Sequence, residues 1–109
     1  LPQMLRTLVD KLPSPAWIRN QELRLIYCNN AYADIIGRTT QDVLEEQSEL
    51  ARSLLGEDGR DLARYALASD AMQTQTEAII VDGKRHLMEF QETPLIDGSG
   101  LVGFARDFS

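Results

Sequence analysis

The chain carries one cysteine, one histidine and one tryptophan among 109 residues, with aromatics at only 6%. A lone cysteine, Cys28, cannot close an internal disulfide, which fits a reducing, cytoplasmic compartment. No apolar run approaches the roughly 18 residues that cross a bilayer, so no membrane contact by this segment is expected. No basic-then-apolar leader is present either. Basic side chains are scarce: 11 Lys and Arg stand against 17 Asp and Glu, a net charge of −6. That balance argues against a phosphate-binding surface and predicts no nucleic-acid partner. The acidic set Glu45, Glu46, Glu49, Glu57, Asp58 and Asp61 matches no calcium-loop spacing and reads as a solvated surface, with no metal. There is no internal repeat and no low-complexity linker. The first residue is Leu1 rather than methionine, so a segment of a longer protein is expected, with its output elsewhere.

What is present is ordinary for one globular domain with one core: 43% hydrophobic and 26% charged residues. The most informative stretch is Thr76 to Leu95. Asp82-Gly83 between two apolar-patterned runs is a strong hairpin signal, because both turn residues must accept positive φ. A two-residue turn there sets Ile79 opposite His86 and Glu77 opposite Met88. One hairpin face then carries Glu77, Ile79, Val81, His86, Met88 and Phe90. The other carries Ala78, Ile80 and Leu87 among Arg85 and Glu89, so both faces need cover.

Met4, Leu5, Leu8, Val9 and Leu12 form a helical stripe over residues 1–12, stopped by Pro13 and Pro15. That helix lies on the domain's own core or pairs with a second copy, and the two are compatible. Residues 13–109 form the core of the domain. Ala16–Arg19 and Leu23–Cys28 read as strands. Asn29-Asn30 can cap a helix over Ala31–Ile36 that Gly37 ends, and Thr39 or Thr40 caps another containing Val43 and Leu44. Leu50, Leu54 and Leu55 suggest a further helical turn, with Gly56 and Gly59 bracketing an acidic loop. Arg60–Met72 is helical, with Leu62, Ala63, Ala66 and Leu67 on one stripe. After the hairpin, Asp97-Gly98-Ser99-Gly100 is a turn and Leu101–Phe108 the last strand. Two strands, a helical excursion and a three-stranded meander make an α+β domain on a five-stranded antiparallel sheet.

These residues resemble the PAS domains, the sensory modules of bacterial signalling proteins. The run Arg24-Leu25-Ile26-Tyr27-Cys28-Asn29-Asn30-Ala31-Tyr32, ending at Ile36-Gly37, looks like the family's strand, Asn, small residue, aromatic and terminal Gly. Glu92-Thr93-Pro94-Leu95-Ile96-Asp97-Gly98 with Val102-Gly103-Phe104 resembles its last two strands. Asp107-Phe108-Ser109 resembles the Asp-Ile-Thr triplet that closes many PAS cores. The wording of Leu12-Pro13-Ser14-Pro15-Ala16-Trp17-Ile18-Arg19 and Glu92-Thr93-Pro94-Leu95 is most similar to PAS domains of alphaproteobacterial sensor histidine kinases, including the DivL-like group.

The resemblance implies a PAS fold, with short helices over one sheet face enclosing a pocket. Its walls would be Trp17, Ile26, Cys28, Tyr32 and Ile36, facing Ile79, Met88, Phe90, Leu101 and Ala105. The opposite sheet face, with Val102, Phe104 and Phe108, would take the N-terminal helix or a second subunit. A homodimer seam would thus combine Met4, Leu5, Leu8 and Val9 with Val102 and Phe104. The signal-output junction would be Arg106, Asp107 and Ser109, leading to a covalently linked effector, a kinase in the family's sensor proteins. Arg106 and Asp107 are a candidate ion pair.

No cofactor is evident. The flavin-binding Asn-Cys-Arg-Phe-Leu-Gln run of this family has no counterpart, and Cys28 sits on a strand. Haem-binding members place an axial His on the helix matching Arg60–Met72, which has none. An unknown small-molecule ligand remains open: Trp17 and Tyr32 read as core, or as pocket walls that stack on a ligand. His86 reads as a packed or hydrogen-bonded residue and Cys28 as core. An enzyme would need Cys28 and His86 as nucleophile and base, but no local signature or neighbouring cation supports that pair. The expected function is therefore a non-catalytic sensory and dimerisation module, with a ligand-free interaction scaffold as the alternative.

Overall fold

The computed structural model describes residues 2–51 and 59–108. In chain order these form α1 (Gln3–Asp10), β1 (Ala16–Asn20), β2 (Leu25–Cys28), α2 (Asn30–Ile36), α3 (Thr40–Glu46), α4 (Asp61–Ser69), β3 (Gln73–Val81), β4 (Lys84–Pro94) and β5 (Gly100–Asp107). The side chain of Leu5, residues 52–58 and Ser109 lie outside the description. The expectations for Leu5, Leu54, Leu55, Gly56, Glu57, Asp58 and Ser109 lie there with them.

The strands make one antiparallel sheet in the order β2-β1-β5-β4-β3. At the β3–β4 turn Asp82 and Gly83 take φ of 52° and 77°, as a two-residue hairpin requires. The register follows from the turn: Val81 meets Lys84, Ile79 meets His86, and Glu77 meets Met88. The strand β5 is flanked on both sides. Its Leu101 opposes Arg19 and Pro94, and its Gly103 opposes Trp17 and Glu92. Gly103 allows a close approach, because a Cβ there would stand 2.3 Å from the Trp17 ring.

Helix boundaries follow local chemistry. Asn29 Oδ1 accepts from the Tyr32 backbone N–H at 3.1 Å and caps α2, while Gly37 ends it at φ 82°. Thr39 caps α3 by accepting from Asp42 N–H at 3.1 Å. The helix α4 is shorter than Arg60–Met72, because Asp70 turns left-handed at φ 51° and β3 begins at Gln73. Its Ala63 and Ala66 are fully buried, so small side chains let α4 sit close to the sheet.

The expected inward position of Ile26 is incorrect: that side chain is 53% exposed and Leu25 is buried instead. Trp17 pairs with Cys28 and Ile18 with Tyr27, but Arg19 pairs with Leu25. Ile26 is thus the extra residue of a bulge, which resets the alternation and returns Leu25 to the core face. The main core joins Trp17, Leu25, Cys28, Tyr32, Val43, Met88, Phe90 and Ala105. A second cluster gathers Leu23, Ala63, Ala66 and Leu101 under α4.

On the other sheet face, Tyr27 Oη donates to Asp10 and the Arg6 guanidinium lies 5.8 Å from the Tyr27 ring centre. Asn29 Nδ2 donates to the carbonyls of Val9 and Ser14 at 3.0 and 2.9 Å. These contacts fix the end of α1 beside β2 and leave Met4 and Leu8 78% and 61% exposed. No helix among the described residues is long and apolar enough to cross a membrane.

Candidate functional site

Between the core face of the sheet, residues 49–51 and the start of α4 lies a cavity of about 30 Å³. Its aromatic walls are Trp17, Tyr32 and Phe90, and Leu50, Ala51 and Leu62 add apolar surface. Trp17 and Tyr32 meet edge to face, with ring centres 5.5 Å apart, a favourable geometry for two π-systems. Among the described residues, the charged lining is acidic apart from Arg19: Glu49, Asp61, Glu77 and Glu92 all border it.

Alternation along the strands accounts for this mixture. Trp17 and Arg19 share one face of β1, and Phe90 and Glu92 share the facing side of β4. Three of these side chains join in one network. Trp17 Nε1–H donates to Glu92 Oε2 at 3.0 Å, and Arg19 Nε–H donates to the same oxygen at 2.9 Å. The far side of the guanidinium forks onto Glu49, at 2.9 Å to Oε2 and 2.6 Å to Oε1. Arg19 also donates to the Leu23 carbonyl at 3.1 Å.

Burial opposes the charge on Arg19, but hydrogen bonding to Glu49 and the charges of Glu92 and Glu49 outweigh it, holding the group protonated above its ordinary range. Burial pushes the Glu92 carboxyl up, opposed by the Arg19 charge and by the hydrogen bonds from Trp17 and Arg19. Glu92 is 3% exposed, and its Oε1 has no hydrogen-bond partner among the described residues. An unmade bond on a buried polar atom costs about 1–3 kcal/mol.

Of the sequence-expected pocket residues, Trp17, Tyr32 and Phe90 line this cavity. Cys28, Met88 and Ala105 are packed in the main core beside it. Ile36 and Ile79 border a larger recess with Ile35, Ala78 and Ile80, which shares Glu49 and Leu50 with the cavity. Leu101 belongs to the cluster under α4. Arg19, Glu49 and Glu92 were not expected there; extending the inward alternation by one step past Trp17 and past Phe90 reaches Arg19 and Glu92. Glu49 carries no such signal, because it lies in the loop after α3.

The remaining candidates sit elsewhere. Burial, helped by the Asp10 charge, pushes the Cys28 thiol up to about 11, the opposite of what a nucleophile needs. His86 Nδ1 lies 2.7 Å from Asp107 Oδ2 at the end of β5. Arg106 Nε–H donates to Glu89 at 2.9 Å, so the guanidinium expected to meet Asp107 is engaged across the strand. Val102 and Phe104 border an apolar groove with Val9, Leu12, Pro13 and Pro15 on the outer face. No group of three or more metal-ligating side chains occurs among the described residues.

Comparison with known proteins agrees with this architecture. The virulence sensor protein BvgS of Bordetella pertussis is 40% identical over 42 residues, 38% of this chain and 3% of that protein. The solved PAS domain of BvgS superposes with a TM-score of 0.69 at 22% identity, covering 98% of this chain and 84% of that one. A domain of a sensory box sensor histidine kinase/response regulator from Geobacter sulfurreducens gives 0.72 at 20% identity, covering 95% and 91%. The VqmA dimer of Vibrio cholerae, described among LuxR-type receptors, gives 0.72 at 19%, covering 100% and 52%. A family model for the PAS fold matches residues 9–109, and the chain belongs to that family.

Proposed function

We propose that this chain is the sensory and dimerisation module of a bacterial signal-transduction protein, acting in the cytoplasm without catalysis of its own. A ligand or partner that prefers one arrangement of the site shifts a two-state equilibrium. The carrying observation is the contact between site and strand: Glu92 and Trp17 both oppose Gly103 on β5, and Glu92 holds the indole at 3.0 Å. A change at Glu92 or Trp17 therefore acts directly on β5, which ends at Asp107 and its bridge to His86. The effector beyond that junction is a histidine kinase in this reading, supported by the likeness to BvgS and to the solved domain of the Geobacter sensor histidine kinase/response regulator. The narrower DivL-like grouping rests only on the wording of residues 12–19 and 92–95.

Asp107→Ala in the full-length protein tests the output path. Stimulus-dependent autophosphorylation should be lost while the domain keeps its circular dichroism spectrum and melting temperature. Regulation that persists unchanged would refute the path through β5. A second reading, a ligand-free scaffold, draws on the exposed Met4 and Leu8 of α1. It predicts dimerisation or partner recruitment that is insensitive to substitutions around the cavity.

A further inference from the structure

Resting on the reading of the cavity as the input site, we infer that its ligand is a small organic cation with N–H donors, an amine held against Glu92 beneath the aromatic rings. Glu92 lines the cavity, and its buried Oε1 lacks a donor among the described residues. An O–H or N–H would satisfy it; a hydrocarbon would leave it as it is.

Charge selects between the donors. Arg19 is the one basic residue among the described lining residues, and it is divided between Glu49 and Glu92. Glu49 and Glu92 share the single charge of Arg19, so an anion would add to their excess of negative charge, whereas a cation offsets it. Trp17, Tyr32 and Phe90 border the cavity, and aromatic rings attract an alkylammonium more than a neutral alcohol. Size narrows the class further. The cavity is about 30 Å³, far below the roughly 150 Å³ that admits benzene, so the part of the ligand held inside has only a few heavy atoms.

Trp17 is the only tryptophan and its indole N–H bonds Glu92, so one nuclear magnetic resonance signal reports occupancy. The 109-residue chain, labelled with nitrogen-15, is titrated with methylammonium chloride at neutral pH. Sodium chloride at matched ionic strength, sodium acetate and methanol serve as controls. The Trp17 indole cross-peak should move saturably in the millimolar range with methylammonium alone. In Glu92→Gln the affinity should fall at least tenfold. A methylammonium response no different from sodium chloride, or saturable binding of acetate or methanol in its place, overturns the inference. The wild-type titration decides the matter even if Glu92→Gln fails to fold. Saturable binding combined with unaltered regulation in Asp107→Ala would keep the ligand class and remove the output path. The converse result would keep the path and remove the ligand class.

Discussion

At the scale of single residues, Glu92 is where the sequence is most demanding and least legible. Burial sets its folded pKa above the ordinary value of 4.5. The stability that this shift contributes is therefore complete below the unfolded pKa and is lost as pH rises through the folded pKa. Glu92→Gln fixes the neutral state. Wild-type stability minus that of Glu92→Gln should fall as pH rises above 4.5, by up to about 1.4 kcal/mol per pH unit, and level off beyond the folded pKa. Urea midpoints across that range check it; a difference independent of pH would show that Glu92 ionises as it does in the unfolded chain. The alternation that placed Trp17 and Phe90 inward reaches Arg19 and Glu92 by the same parity. Charged side chains on a strand are ordinarily read as solvent-facing, and only their pairing in space makes burial tolerable. Asn29 shows the opposite case. Its cap is legible locally, whereas its bonds to Val9 and Ser14 depend on how the chain returns past it.

At the scale of elements, turns and caps carried the information. Asp82-Gly83 determined the β3–β4 register, and Asn29, Gly37 and Thr39 marked helix ends, because each rests on a backbone requirement that few residues meet. The bulge at Ile26 has no local signal, since Leu25-Ile26-Tyr27-Cys28 reads equally well in either parity and only the pairing with β1 decides. The strand β5 shows how tightly elements meet. A methyl group at Gly103 would lie 2.3 Å from Trp17 Cε2 and Nε1 and 2.6 Å from Cζ2. Gly103→Ala should cost about 1–3 kcal/mol through overpacking and shift the Trp17 emission spectrum, measured by urea denaturation followed by fluorescence. An unchanged midpoint would show that the ring has room to move away.

At the scale of the whole molecule, the amphipathic pattern of residues 1–12 identified α1 but could not choose between core and seam. The structure anchors its C-terminal end through Asp10 and Val9 and leaves Met4 and Leu8 in solvent. Leu8→Glu should weaken self-association by on the order of tenfold or more, with an unchanged circular dichroism spectrum, since a charge is costly in a desolvated seam. Sedimentation equilibrium measures it, and an unaltered association constant would remove α1 from the interface. The strand order has a separate consequence for how the domain comes into being. Of the five strands, β5 is last in sequence and central in space, so β1–β2 and β3–β4 have no direct ladder to each other. During synthesis both hairpins leave the ribosome before the strand that joins them, and the sheet closes only through contacts remote in sequence, the slow class of folding step. Until then two unpaired strand edges stand open side by side, and a nascent chain stalled before Gly100 would expose both to its neighbours.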